Sequence, residues 1–197
     1  MARFSFLPEQ ATMVELMERH PQRMAALARY TDLVMRTPLA LSRADCELIA
    51  AYVSALNGCR YCAGAHKAFA ESHGVDPQLL DAILTDPDAA PLAPKRKALL
   101  AFCRKLTEAP ARVSDEDAAA LRAAGWPDEA IEDAIFVTAS FNLYNRLMDG
   151  YGIHPRTEAA NRARAALIRE WGYDFTRYPE GLNRIGSAGA AGEGDAV

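Results

Sequence analysis

Prolines 8, 21, 77, 94 and 127 each stand at the head of a stretch rich in alanine and leucine, and no long β-branched alternation runs between them. Proline is tolerated at the first helical position, because the N–H it lacks has no intrahelical partner there. The pattern therefore predicts an all-α chain. Helices are expected from Pro8 to about Arg19, Pro21 to about Arg36, and from Ser42, paired with Asp45 as a capping box, to near Leu56. Asn57-Gly58 breaks the chain, and a helix follows from about Cys59 to His73, stopped by Gly74. Further helices are expected from Pro77 through Leu84, from Pro94 to about Glu108, from a Ser114 cap to just before Gly125, from Pro127 to about Asp149, and from roughly Arg156 to Trp171. The proline-rich stretch from Asp86 to Pro94 reads as a loop. Residues 1–180 form one expected domain, with its motif hairpin at about 42–74; the Gly-, Ala- and Ser-rich residues 181–197 read as a disordered tail.

A net charge of −4, with both signs mixed along the chain, offers no basic surface for phosphates, so nucleic acid is not an expected partner. The short run Lys95-Arg96-Lys97 reads as a solvated helix start. No apolar run is long enough for a membrane span, and the N-terminal residues lack a secretory pattern. A cytoplasmic, reducing setting is the resulting expectation, in which a structural disulfide framework is unusual. Cys46 and Cys103 then read as small buried hydrophobes, Trp126 and Trp171 as core or interface anchors, and His20 as a surface residue.

Cys59 and Cys62 need another explanation. At about 100° per residue, Cys62 lies about 60° from Cys59 around a helix, and His66 about 20° from it. All three share one face, which is the arrangement of an activated thiol: nucleophile, partner sulfur and base. Glu47 lies on the preceding helix, in a stripe with Leu48, Ile49, Tyr52 and Val53, where an unused charge is costly. Its face continues through the small residues Ala51 and Ser54, so a hairpin at Asn57-Gly58 can bring the carboxylate to the thiols. Three readings stay open. One is a redox centre. Another is a zinc-stabilised helical binding module using Cys59, Cys62 and His66, with Glu47 completing the set. The third is a non-catalytic helical oligomer with inert cysteines. Within the redox reading, the helix N-terminus favours Cys59 as nucleophile, whereas His66, one turn from Cys62, favours Cys62. A weak echo, His73-Gly74-Val75-Asp76-Pro77 against Tyr151-Gly152-Ile153-His154-Pro155, suggests repeated halves and would lay Tyr144 on His66.

Glu47, eleven residues, Cys59-x-x-Cys62, three residues and His66 together resemble the signature of the AhpD-like alkylhydroperoxidases, within the carboxymuconolactone decarboxylase superfamily. The segment Phe141-Asn142-Leu143-Tyr144-Asn145-Arg146, followed by Asp149-Gly150, resembles their peroxidase-related branch, and the likeness covers roughly residues 30 to 155. The resemblance implies an AhpD-like helical fold with two similar halves and a homo-oligomer (dimer, trimer or hexamer) with sites near subunit contacts. It implies an antioxidant thiol peroxidase that reduces small organic hydroperoxides without metal or organic cofactor and is recharged by a dithiol or thioredoxin-like donor. On this reading Cys62 attacks, Cys59 resolves, and Glu47 and His66 relay protons; Tyr144 remains a further candidate. One position departs from the pattern: Tyr61 stands where well-known members have histidine, so the relay is shorter or passes through the phenol. The decarboxylase branch lacks the cysteine pair, and that activity is not expected.

Overall fold

The structure, a computed structural model, describes residues 3–179, so the expected tail at 181–197 lies outside the described residues. Among them are nine α-helices and two short 3-10 turns, with no strand. The helices are α1 (Met13–Arg19), α2 (Pro21–Arg36), α3 (Arg43–Leu56), α4 (Arg60–Ser72), α5 (Leu79–Thr85), α6 (Pro94–Glu108), α7 (Asp115–Ala123), α8 (Asp128–Tyr151) and α9 (Glu158–Trp171). None of them is long and apolar enough to cross a membrane.

Three starts differ from the sequence expectation, and side-chain chemistry explains two of them. α1 begins at Met13 because Thr12 and Glu15 form a reciprocal capping box there, which leaves Pro8 outside the helix. α9 begins at Glu158 because the Thr157 hydroxyl accepts the Ala160 N–H, which leaves Arg156 outside the helix. α5 begins at Leu79, two residues beyond Pro77.

The core is built around α3, buried continuously from Asp45 to Ser54. A helix apolar all round is a central helix; α4, α8 and α6 pack against it. Gly58, at φ 72°, ends α3: its N–H reaches Ala55 O, and the Cys59 N–H reaches Ser54 O. This left-handed turn sets the first thiol at the head of α4. The same pair of bonds recurs at Gly74-Val75, Gly125-Trp126 and Gly152-Ile153. The sequence echo is thus a helix-end device used repeatedly, and is not itself a mark of repeated halves.

α4 packs on its other side against α9 through Ala65, Ala68, Phe69, Ala165 and Ile168. The approach is close enough that a Cβ on Gly64 would lie 3.2 Å from Asn161 Nδ2. Asp133 of α8 ties down the entry to α3, its carboxylate accepting the N–H groups of Leu39, Ala40 and Leu41 at 2.8–2.9 Å. The Lys95-Arg96-Lys97 run is not merely solvated: Lys95 lies over the Trp126 ring, Arg96 pairs with Asp45, and Lys97 reaches Asp88 O.

Candidate functional site

The hairpin of α3 and α4 brings Glu47, Cys59, Cys62 and His66 together in the interior. The two sulfurs are 2.8 Å apart, and His66 Nδ1 lies 2.8 Å from Glu47 Oε2. Glu47 is only 2 % exposed and would be an expensive charge alone. Its second oxygen accepts the Tyr173 hydroxyl at 2.6 Å. Burial first, and then the Glu47 charge, push the Tyr173 phenol well above its ordinary pKa, so it stays a donor. The imidazole is clamped edge-on by Phe141 at 4.2 Å and Phe69 at 5.0 Å, with the Tyr173 ring parallel to it.

Tyr173 reaches this place because α9 ends at Gly172, whose positive φ of 80° turns the chain back. A Cβ at Gly172 would overlap the Asp32 carboxylate, which also accepts the Tyr173 N–H at 2.8 Å. The segment 141–146 has an equally local function. Phe141 packs on His66, the Asn145 amide donates to Ser54 Oγ at 2.9 Å, and Asn57 donates to both Asn142 and Asn145. These amides lock the turn that carries the thiols onto α8.

The two thiols are not equivalent. Cys59 is fully buried, at 0 % exposure; Cys62, at 4 %, lines a cavity of about 70 Å³ together with His66, Tyr61, Phe69, Phe141 and Tyr144. Acidity runs the other way. The hydrogen bond between the two sulfurs holds Cys59 below the ordinary thiol range, while that same bond, followed by burial, raises Cys62. Of the two, Cys59 is the more acidic and Cys62 the more exposed. Cys46 and Cys103 are buried with raised pKa values, Cys103 to about 12, as suits inert packing thiols.

Neither candidate tyrosine joins the Glu47–His66 pair. Tyr144 shares a hydrogen bond with Thr31 at 2.7 Å, and burial raises its pKa. The Tyr61 hydroxyl is buried without a partner. The residues not foreseen from sequence are Tyr173, Arg156 and Arg164; the two arginines lie on the cavity wall. Among the described residues no group of three or more His, Cys, Asp and Glu side chains is placed to hold a metal ion.

Residues 21–105 match the model of the carboxymuconolactone decarboxylase family. A peroxidase-related protein with an alkylhydroperoxidase AhpD core, from Ralstonia eutropha JMP134, is 30 % identical with a TM-score of 0.70, over 74 % of this chain and 77 % of that one. A peroxidase-related protein from Silicibacter sp. TM1040 is also 30 % identical, with a TM-score of 0.69 over 74 % and 76 % of the two chains. A protein from Agrobacterium tumefaciens, 22 % identical with a TM-score of 0.63 over 75 % of this chain and 99 % of that one, shares the fold. No curated protein matches the chain significantly.

Proposed function

The chain belongs to the carboxymuconolactone decarboxylase family, and on that footing we propose that it is a thiol peroxidase reducing organic hydroperoxides through a Cys59–Cys62 dithiol cycle. The observation that carries this reading is the difference between the sulfurs: Cys62 lines the cavity, and Cys59, the more acidic, lies fully buried 2.8 Å from it.

The steps balance with these groups alone. The Cys59 thiolate takes the proton of Cys62 as the Cys62 sulfur attacks the distal peroxide oxygen. The O–O bond breaks, and the departing alkoxide takes a proton from the His66 imidazolium and leaves as the alcohol. Glu47, held by Tyr173, stabilises that imidazolium and fixes Nδ1 as its donor. Cys62 is now a sulfenic acid. The Cys59 thiol displaces its oxygen as water, forming the disulfide. A small dithiol or thioredoxin-like donor reduces the pair, is itself oxidised to a disulfide, and restores the Cys59 charge with a proton returned to His66.

The test is consumption of cumene or tert-butyl hydroperoxide by the purified protein with a dithiol donor. Catalytic turnover, with one alcohol formed per dithiol oxidised, is the expected result. Absence of turnover with both peroxides would overturn the reading.

Self-association is part of the proposal. Tyr30 and Leu33 of α2, Leu39, and Phe136 and Leu143 of α8 are exposed, Leu33 and Leu39 by 63 % and 68 %. The Asp133 tie to Leu39 and the contact of Ser140 with Tyr30 bring Leu39 and Tyr30 beside α8, which carries Phe136 and Leu143. An apolar face of this kind marks an interaction surface. Light scattering at micromolar concentration should give a dimer or larger; a stable monomer would count against it.

A further inference from the structure

Two polar side chains that line the thiol cavity, Tyr61 and Arg156, each hold a buried donor without a partner. The Tyr61 side chain is 6 % exposed, and its hydroxyl has no hydrogen-bond partner. Arg156 lies over the Tyr61 ring, 4.6 Å from guanidinium carbon to ring centroid, and its Nε is also buried without a partner. Both residues line the cavity with Cys62, and Arg164, 7 % exposed, lines it too. Buried donors normally find acceptors, because leaving one unpaired forfeits its hydration with nothing in return. Burial lowers the Arg164 pKa, and the neighbouring Arg156 charge lowers it further, although Tyr178 acts in the opposite sense. The rest of the lining is chiefly apolar, with Met13, Met17, Met148 and Ile168 beside the aromatic rings.

We propose that Tyr61 and Arg156 form a carboxylate seat, and that the hydroperoxide taken by the site bears a carboxylate on a small apolar body. The proposal rests on the peroxidase reading and names its substrate class. A carboxylate offers acceptors to both orphaned donors at once, the Arg156 Nε–H and the Tyr61 O–H, and pairs with the Arg156 charge. Burial raises the Tyr61 pKa, so the phenol remains a donor at neutral pH. Because Tyr61 immediately precedes Cys62, an anion seated there is held in the cavity that the attacking sulfur lines. The apolar lining then takes the body of the molecule. Tyr61, on this assignment, is a substrate-binding residue and not part of the proton relay.

The experiment compares cumene hydroperoxide with its para-carboxylate. The carboxylate form should show a kcat/KM at least about tenfold higher, carried by KM, because a charge-assisted pair in a buried site is worth about that factor or more. Tyr61→Phe and Arg156→Gln should each shrink the ratio towards one. Independently of turnover, para-isopropylbenzoate, which carries the carboxylate but no peroxide, should bind the unaltered protein by calorimetry and bind Arg156→Gln at least about tenfold more weakly. Equal kcat/KM for the two peroxides, or no binding of para-isopropylbenzoate, would overturn the seat. Failure of both peroxides with binding intact would overturn the peroxidase reading and leave the carboxylate seat standing.

Discussion

Cys59→Ser is expected to abolish multiple turnover yet still accumulate a sulfenic acid at Cys62 when peroxide is added, whereas Cys62→Ser should form almost none at Cys59. Acidity and access favour different thiols. Cys59 is the N-cap of α4, where the helix dipole and free amide groups favour a thiolate, and its pKa is lowered by the Cys62 thiol beside it. Acidity alone would make Cys59 the nucleophile. Access decides against it, because Cys59 is fully buried and only Cys62 lines the cavity. A thiolate that cannot meet the peroxide serves better as the base for the sulfur that can. This carries a pH consequence. Without Cys59, the Cys62 thiol loses the group that takes its proton, and its own burial still holds its pKa above the ordinary thiol value. Sulfenic acid formation in Cys59→Ser should therefore be slow near neutrality and rise as pH rises, while the unaltered pair already reacts at neutral pH. Dimedone trapping followed by mass spectrometry, across a pH series, reads both effects. Trapping at Cys59 in Cys62→Ser, with none at Cys62 in Cys59→Ser, would exchange the roles.

What could be read in the sequence was what local chemistry writes there. α2 and α6 run from Pro21 to Arg36 and from Pro94 to Glu108, as expected, because proline at the first position needs no tertiary help. The ends at Gly58, Gly74 and Gly125 were equally legible, since a left-handed residue after a helix favours glycine. Pro8 misled because Thr12 and Glu15 cap α1 more completely than an upstream proline can start it. Spacing also put Cys59, Cys62 and His66 on one face and aimed Glu47 at them. Tyr173 could not be foreseen in this way. It lies 126 residues from the carboxylate it bonds, and its arrival depends on the close α4–α9 packing and on the turn at Gly172. Arg156 is similar: the sequence assigned it to a helix, but the Thr157 cap leaves it in the preceding segment, over the Tyr61 ring. Periodicity reports which residues share an element, not which distant elements the packing brings to one cavity.

Glu47→Gln should lower peroxide turnover by about 10²- to 10⁴-fold, the usual contribution of a positioned acid–base group, while leaving the chain folded. The carboxylate has two acceptor oxygens and two donors to serve, Tyr173 O–H at 2.6 Å and His66 Nδ1 at 2.8 Å. That arrangement places a proton on Nδ1 and leaves Nε2 as the ring atom that would exchange a proton with the departing alkoxide. A glutamine keeps the shape but offers one acceptor and one NH₂. If its oxygen keeps His66, the amide meets the phenol, which can rotate and accept. If its oxygen keeps Tyr173, the amide faces Nδ1 and favours the other tautomer. Neither arrangement supplies a negative charge to the imidazolium. The isosteric amide retains most of the hydrogen bonds, so the chain should stay folded and the loss of activity should exceed any loss of stability. A thermal melt beside steady-state kinetics separates the two effects. Tyr173→Phe, which leaves the charge and removes one hydrogen bond, should lose less than Glu47→Gln. Full activity in Glu47→Gln, or a larger loss in Tyr173→Phe, would mean that the carboxylate only braces the hairpin and that protons reach the alkoxide by another route.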